Sequence, residues 1–178
     1  MSLPRTMQAV RAHHQGGPDQ LRLETVLVPL PGPGQVLIRV ESASVNFSDI
    51  KRRRGDAYPF PTALPFVPGG EVAGTVAALG EGVTQLAAGQ PVFALVGGDG
   101  QGGYAQYALA FAPQVNPLPP GLSADQACAL IIAGGTAMLL LKEAARLQPG
   151  DAVLVPAAAG AVGSYLVQLA RHLGAGLV

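Results

Sequence analysis

Charge is scarce in this chain. Asp, Glu, Lys and Arg make up 12% of its 178 residues, about half the usual share of roughly 25%. Eleven basic side chains balance eleven acidic ones. That neutrality argues against nucleic acid or an anionic membrane surface as a partner, because both select a basic excess. The apolar share of 49% excludes intrinsic disorder. Cysteine occurs once, at Cys128, which excludes an internal disulfide and any multi-thiolate metal site. The opening MSLPRTMQAV lacks the long apolar stretch of a secretory signal, so a cytoplasmic location is expected. There is no G-x-S-x-G, and Ser164 follows Gly163 within a helical pattern, so a serine hydrolase has no support. Two uncharged stretches, 127–141 and 153–170, imitate a membrane span. The first is short and holds Gly134-Gly135. The second holds Pro156, Gly160 and Gly163, and a strand, turn and helix explain it better than a ~20-residue span.

What the chain does have is 24 glycines and 16 prolines without a G-X-Y period. This predicts many turns between short strands. Strands are expected at 7–14, 21–28, 36–45, 71–79, 91–96 and 104–111, with a short polar helix over 46–54. Gly74, inside a strand, suggests a bulge or a close backbone approach. Many short strands with Gly/Pro turns indicate a barrel or sandwich. After Pro119-Pro120-Gly121 the character changes. Ser123-x-x-Gln126 is a capping-box pattern that opens a helix to about Ile132. Gly134-Gly135-Thr136 interrupts, and a second helix runs to about Arg146. Residues 152–157 read as a strand buried on both faces. From Ala161 the period is helical, with Val162, Leu166, Leu169 and Leu173 on one side. The end of the chain is thus a βαβ unit reaching only the start of its second strand.

Two glycine patterns compete for a dinucleotide. Gly98-Asp-Gly100-Gln-Gly-Gly103 matches G-x-G-x-x-G, but YAQYALAF follows it as a strand. Pyrophosphate needs the free N–H groups and positive dipole of a helix start, so this copy is read as a turn. The other, Ala157 to Gly163, follows a strand and opens a helix. Here Ala159, Gly160, Ala161, Val162 and Gly163 are the candidate cofactor-binding residues. Gly160 admits the phosphates and Gly163 lets the helix lie close; Ala157 replaces the usual first glycine. A ligand-free corner is the alternative. The ribose-reading residue, ~20 positions on, falls at or beyond Val178.

The order of the stretches VESASVNFSDIKRRRG (40–55), PFVPGGEVAGTVAALGEGV (65–83), GQPVFALV (89–96), GGYAQYA (102–108), LPPGLSADQACAL (118–130), GGTAM (134–138) and PGDAVLVPAAAGAVGSYLVQLARHLGA (149–175) resembles the medium-chain dehydrogenase/reductase superfamily, in its zinc-free quinone oxidoreductase (zeta-crystallin-like) branch. The resemblance implies an α+β fold: a GroES-like β-barrel over 1–125 that supplies the substrate cleft, then the incomplete start of a Rossmann domain over 126–178. Family members have about twice this length, so the resemblance implies truncation within the Rossmann domain. Zinc-containing relatives carry Cys where Asn46 stands and Gly-His-Glu where Gly69-Gly70-Glu71 stands, so no metal site is expected.

The implied reaction is hydride transfer from NADPH, with NADH as the alternative, to a quinone-type acceptor. The rivals are an enone or enoyl reductase on the same scaffold and a catalytically idle GroES-like binding module. The implied partners are a small conjugated carbonyl or quinone, and a second copy through the Rossmann sheet edge. By resemblance Asn46 donates to the acceptor's carbonyl oxygen and also caps the short helix; Thr136 contacts the nicotinamide end or caps a helix. An aromatic residue often stands at the position of Lys51 in the family. Arg52-Arg53-Arg54 read as solvated rather than phosphate-binding. Tyr58, Phe60 and Phe66 line an acceptor pocket or pack in the core. Cys128 is expected buried and inert, and His13, His14 and His172 solvated.

Overall fold

The structure is a computed structural model that describes residues 3–59, 62–98 and 101–178. It divides into two compact units, Met1–Cys128 and Ala129–Val178.

The first unit opens with a hairpin of β1 (Thr6–Ala12) and β2 (Leu21–Leu27), paired antiparallel from Thr6↔Leu27 to Ala12↔Leu21. Five further strands form one antiparallel sheet in the order β6-β3-β4-β5-β7. They are β3 (Gln35–Ala43), β4 (Glu71–Leu79), β5 (Pro91–Leu95), β6 (Tyr107–Phe111) and β7 (Val115–Pro117). Isolated bridges at Ala9↔Ala105 and Ala12↔Phe66 stitch the hairpin to the segments leaving this sheet. Alternation puts Val36 and Ile38 of β3, Val72 and Val76 of β4 and Val92 of β5 into one core. β4 is buried on both faces at its start: Ala73 meets Ala127 and Cys128 on the side away from that core.

Gly74 marks the close approach expected of it. A Cβ there would lie 2.0 Å from the Arg39 carbonyl oxygen, and the β3–β4 register slips beside it, between Val40 and Ser42. β1 stops at Ala12, so His13 and His14 lie in the turn beyond the strand rather than on it. β7 was not anticipated, because three residues with one proline carry no readable period.

Helix α1 (Phe47–Arg54) follows β3. Helix α2 (Ala124–Leu139) begins with the expected capping box: Gln126 N–H donates to Ser123 Oγ at 3.2 Å, and Ser123 N–H to Gln126 Oε1 at 2.9 Å. It then runs straight through Gly134-Gly135-Thr136, where a break was expected. Glycine costs a helix only about 1 kcal/mol per residue, too little to stop a run this apolar. In the second unit Tyr165 lies over buried Gly134 and its hydroxyl donates to the Ala129 carbonyl at 3.4 Å. One wide turn, Leu140–Ala144, extends the helix. The continuous run Ala124–Ala144 has 21 residues, and an 18-residue stretch of it has a mean hydropathy of 1.6, long and apolar enough to cross a membrane by length and composition alone.

Residues 152–157 do not form the doubly buried strand expected of them. Ala152↔Leu177 is a single parallel bridge, and Leu154 is 91% exposed. A parallel strand is buried only when neighbours flank it and helices cover both faces; Leu177 is the one bridged partner among the described residues. Helix α3 (Ala161–His172) forms as its periodicity predicts, burying Gly163 and Ala170.

Replacing Gly74 with alanine should cost about 2 kcal/mol or more, since strand backbone and not a movable side chain stands where the methyl would go. Urea denaturation followed by circular dichroism measures it; an unchanged midpoint would contradict the close packing of β3 on β4.

Candidate functional site

Asp49 lies in the first turn of α1 and is 6% exposed. A carboxylate out of water needs donors on its oxygens. Its Oδ2 accepts the Asn46 N–H at 2.9 Å and the Tyr104 hydroxyl at 3.2 Å, and its Oδ1 accepts the Gly69 N–H at 3.0 Å. Gly69 is required for this approach: its φ is +98°, and a Cβ would fall 2.7 Å from the Tyr104 ring. Burial, then the charge of Asp49, pushes the Tyr104 hydroxyl well above its ordinary value, so it stays protonated and donates. Asn46 is the N-cap of α1 and forms a capping box with Asp49, so its expected capping role is realised.

The rest of α1 is tied down by arginines. Arg53 is buried and donates to the Gly16 carbonyl. Arg52 donates to Thr62 Oγ1 at 3.2 Å and to the Gly97 carbonyl at 3.3 Å, and its guanidinium lies 5.4 Å from the Phe66 ring centre. The expectation that the whole run is solvated holds for Arg54 alone, which is exposed. Loop carbonyls take donors from its two neighbours instead.

Glu71, the first residue of β4, is 1% exposed. It stands next to the pair Ala43↔Val72, across from Ser44. Ser44 Oγ donates to Glu71 Oε1. The Asn46 amide nitrogen donates to the same Oε1 at 2.7 Å and to Ser44 Oγ at 2.9 Å. These two acceptors are bonded to each other and lie side by side at the Asn46 amide nitrogen. Asn46 is half-buried.

Of the remaining candidates in this unit, Phe66 is fully buried. Tyr58 is half-buried, its ring centre 6.0 Å from the Arg52 guanidinium, and Phe60 lies outside the described residues. Cys128 is buried; burial and then the charge of Glu71 push its thiol up, which suits an inert side chain. His13 is paired with Glu24 at 2.7 Å. Among the described residues no three His, Cys, Asp or Glu gather as metal ligands. Of the literal glycine motif, Asp99 and Gly100 lie outside the described residues, and Gly103 leads toward β6 without opening a helix. Gly102 is pressed on the chain, its would-be Cβ 2.3 Å from the Pro68 carbonyl oxygen.

In the second unit, residues 156–160 make an exposed turn into α3. Ala157 has a left-handed φ of +53°. Its carbonyl accepts the Gly160 N–H at 2.9 Å. A Cβ on Gly163 would lie 2.3 Å from that same carbonyl oxygen, so only glycine lets the helix start so close to the turn. No side chain caps this helix end, and the N–H groups of Ala161, Val162 and Gly163 have no intrahelical acceptor. Bare amides, a positive dipole end and absent side chains fit a diphosphate. Thr136 lies mid-helix on α2 and is exposed, so it caps nothing.

Residues 32–120 match the family described as the alcohol dehydrogenase GroES-like domain. The chain belongs to the medium-chain dehydrogenase/reductase superfamily. It is 40% identical over 169 residues to a quinone oxidoreductase of Mus musculus, covering 94% of this chain and 50% of that one. It is 38% identical over 175 residues to a 2-haloacrylate reductase of Burkholderia, covering 97% and 52%. Among solved structures it superposes on mycobacterial Rv1454c, complexed with NADPH, with a TM-score of 0.86 and 38% identity over 95% of this chain and 51% of that one. The chain spans about half the length of the relatives it matches.

In this dehydrogenase/reductase chain Ala157→Gly should raise stability by about 1 kcal/mol, because glycine adopts the left-handed conformation without the Cβ penalty. Gly163→Ala should lower stability and reshape the turn. Thermal unfolding of both variants is the check; a stabilising Gly163→Ala would mean that the turn is not closed on Ala157 as described.

Proposed function

We propose that this chain carries the acceptor-binding and diphosphate-binding parts of a zinc-independent reductase that transfers hydride from NADPH, with NADH as the alternative, to a quinone-type acceptor. The observation that carries the reading is the turn at 157–163, where a helix with no side-chain cap begins against a glycine forced by a backbone contact. The mouse relative's name and the NADPH in the mycobacterial structure support it.

Bound NADPH supplies the hydride. The N–H groups of Ala161, Val162 and Gly163 hold its diphosphate, with Ala159 and Gly160 forming the turn that admits it. The Thr136 hydroxyl is assigned to the nicotinamide end. The Asn46 amide N–H is assigned to the acceptor's carbonyl oxygen, where negative charge would build as hydride arrives; such a donor strengthens its bond in the transition state and so speeds the step. The residues present support zinc independence. Asn46 and Gly70 stand where the zinc-containing relatives have Cys and His, and the donors around Asp49 and Glu71 leave those acids occupied. A cytoplasmic location and pairing with a second copy are parts of the same proposal.

A second reading is reduction of an activated carbon–carbon double bond, favoured by the 2-haloacrylate reductase relative. It uses the same donor on the conjugated carbonyl. Assays of the intact protein separate the two. NADPH oxidation with 1,4-benzoquinone should exceed that with an enone and should survive a chelator. Faster turnover of the enone would favour the second reading. Unchanged nicotinamide fluorescence at millimolar NADPH would overturn both and leave the idle binding module.

A further inference from the structure

We propose that Glu71 is the positioning residue for Asn46: its buried carboxylate fixes which atoms of that amide face the ligand. The proposal rests on the reading of Asn46 as the donor to the acceptor.

An asparagine amide has two faces of opposite character, and rotation about its last bond exchanges oxygen for nitrogen. Something must choose between them. An ionised carboxylate can only accept. Set against Asn46, Glu71 tolerates nitrogen and repels oxygen, because a buried charge facing another acceptor loses its compensation. Ser44 strengthens the choice. Its single hydroxyl hydrogen goes to Glu71, so toward Asn46 it too can only accept. Both acceptors stand side by side at the end of the β3–β4 ladder, where backbone pairing at Ala43↔Val72 keeps them in register. Asn46 is held from the other side by Asp49, which accepts its backbone N–H. With the backbone and the amide nitrogen both held, the plane of the amide and the directions of its N–H groups are set. A glutamine at 71 would supply a donor as well as an acceptor and would admit either orientation.

The test is a double-mutant cycle in the intact protein, with NADPH and 1,4-benzoquinone as the probes. Asn46→Ala should lower kcat about a hundredfold, the usual effect of removing one donor to a developing oxyanion. Glu71→Gln should lower kcat about five- to tenfold, the difference between a charge-assisted and a neutral hydrogen bond, with the KM for NADPH unchanged. Adding Glu71→Gln to Asn46→Ala should then change nothing further. Ser44→Ala should show the same non-additivity, and it serves if Glu71→Gln fails to fold. A kcat unaffected by Glu71→Gln, or an equal loss in both backgrounds with a lowered melting temperature, would overturn the positioning role while leaving the donor role intact. A normal kcat for Asn46→Ala would overturn the donor reading and the inference with it.

Discussion

Two carboxylates, Asp49 and Glu71, lie out of water in the first unit, and the local structure is arranged around the need to surround them with donors. An unpaired buried charge costs several kcal/mol. Asp49 therefore draws in the backbone of Gly69, the hydroxyl of Tyr104 and the start of α1. Glu71 draws in Ser44 and the amide of Asn46. The outcome is a short helix anchored at its first turn by one acid, and a side chain at its cap oriented by the other.

Glycine does the complementary work. Wherever backbone must approach backbone, a side chain is missing: Gly74 against Arg39, Gly102 against Pro68, Gly163 against Ala157. The first of these lets β3 and β4 slip register just before Ser44 and Asn46. The last leaves the amides of α3 open. A chain so poor in charge thus concentrates its polar chemistry in a few places, by burying acids in one unit and by baring backbone N–H groups in the other.

Much of this was legible in the residue order. Strand and helix positions followed from alternation and from turns marked by Gly and Pro. Gly74 and the Ser123 capping box were readable because their signals are local. The contact of Asn46 with Glu71 was not, since the two lie 25 positions apart and only the register of β3 on β4 brings them together. Arg52 and Arg53 were misread because a run of charge carries no record of the carbonyls that a fold will leave without donors. Gly134-Gly135 looked like a break because local propensity was weighed without the surrounding apolar run. Residues 152–157 have a buried strand's composition, yet burial depends on neighbours that a single segment does not name.

The most direct measurement of the central claim is a crystal structure of the intact protein with NADPH and a non-reducible quinone analogue. The account predicts Asn46 Nδ2 bonded at once to Glu71 and to the analogue's carbonyl oxygen, and diphosphate oxygens on the amides of 161–163. An Asn46 amide turned away from Glu71, or a diphosphate bound elsewhere, would contradict it.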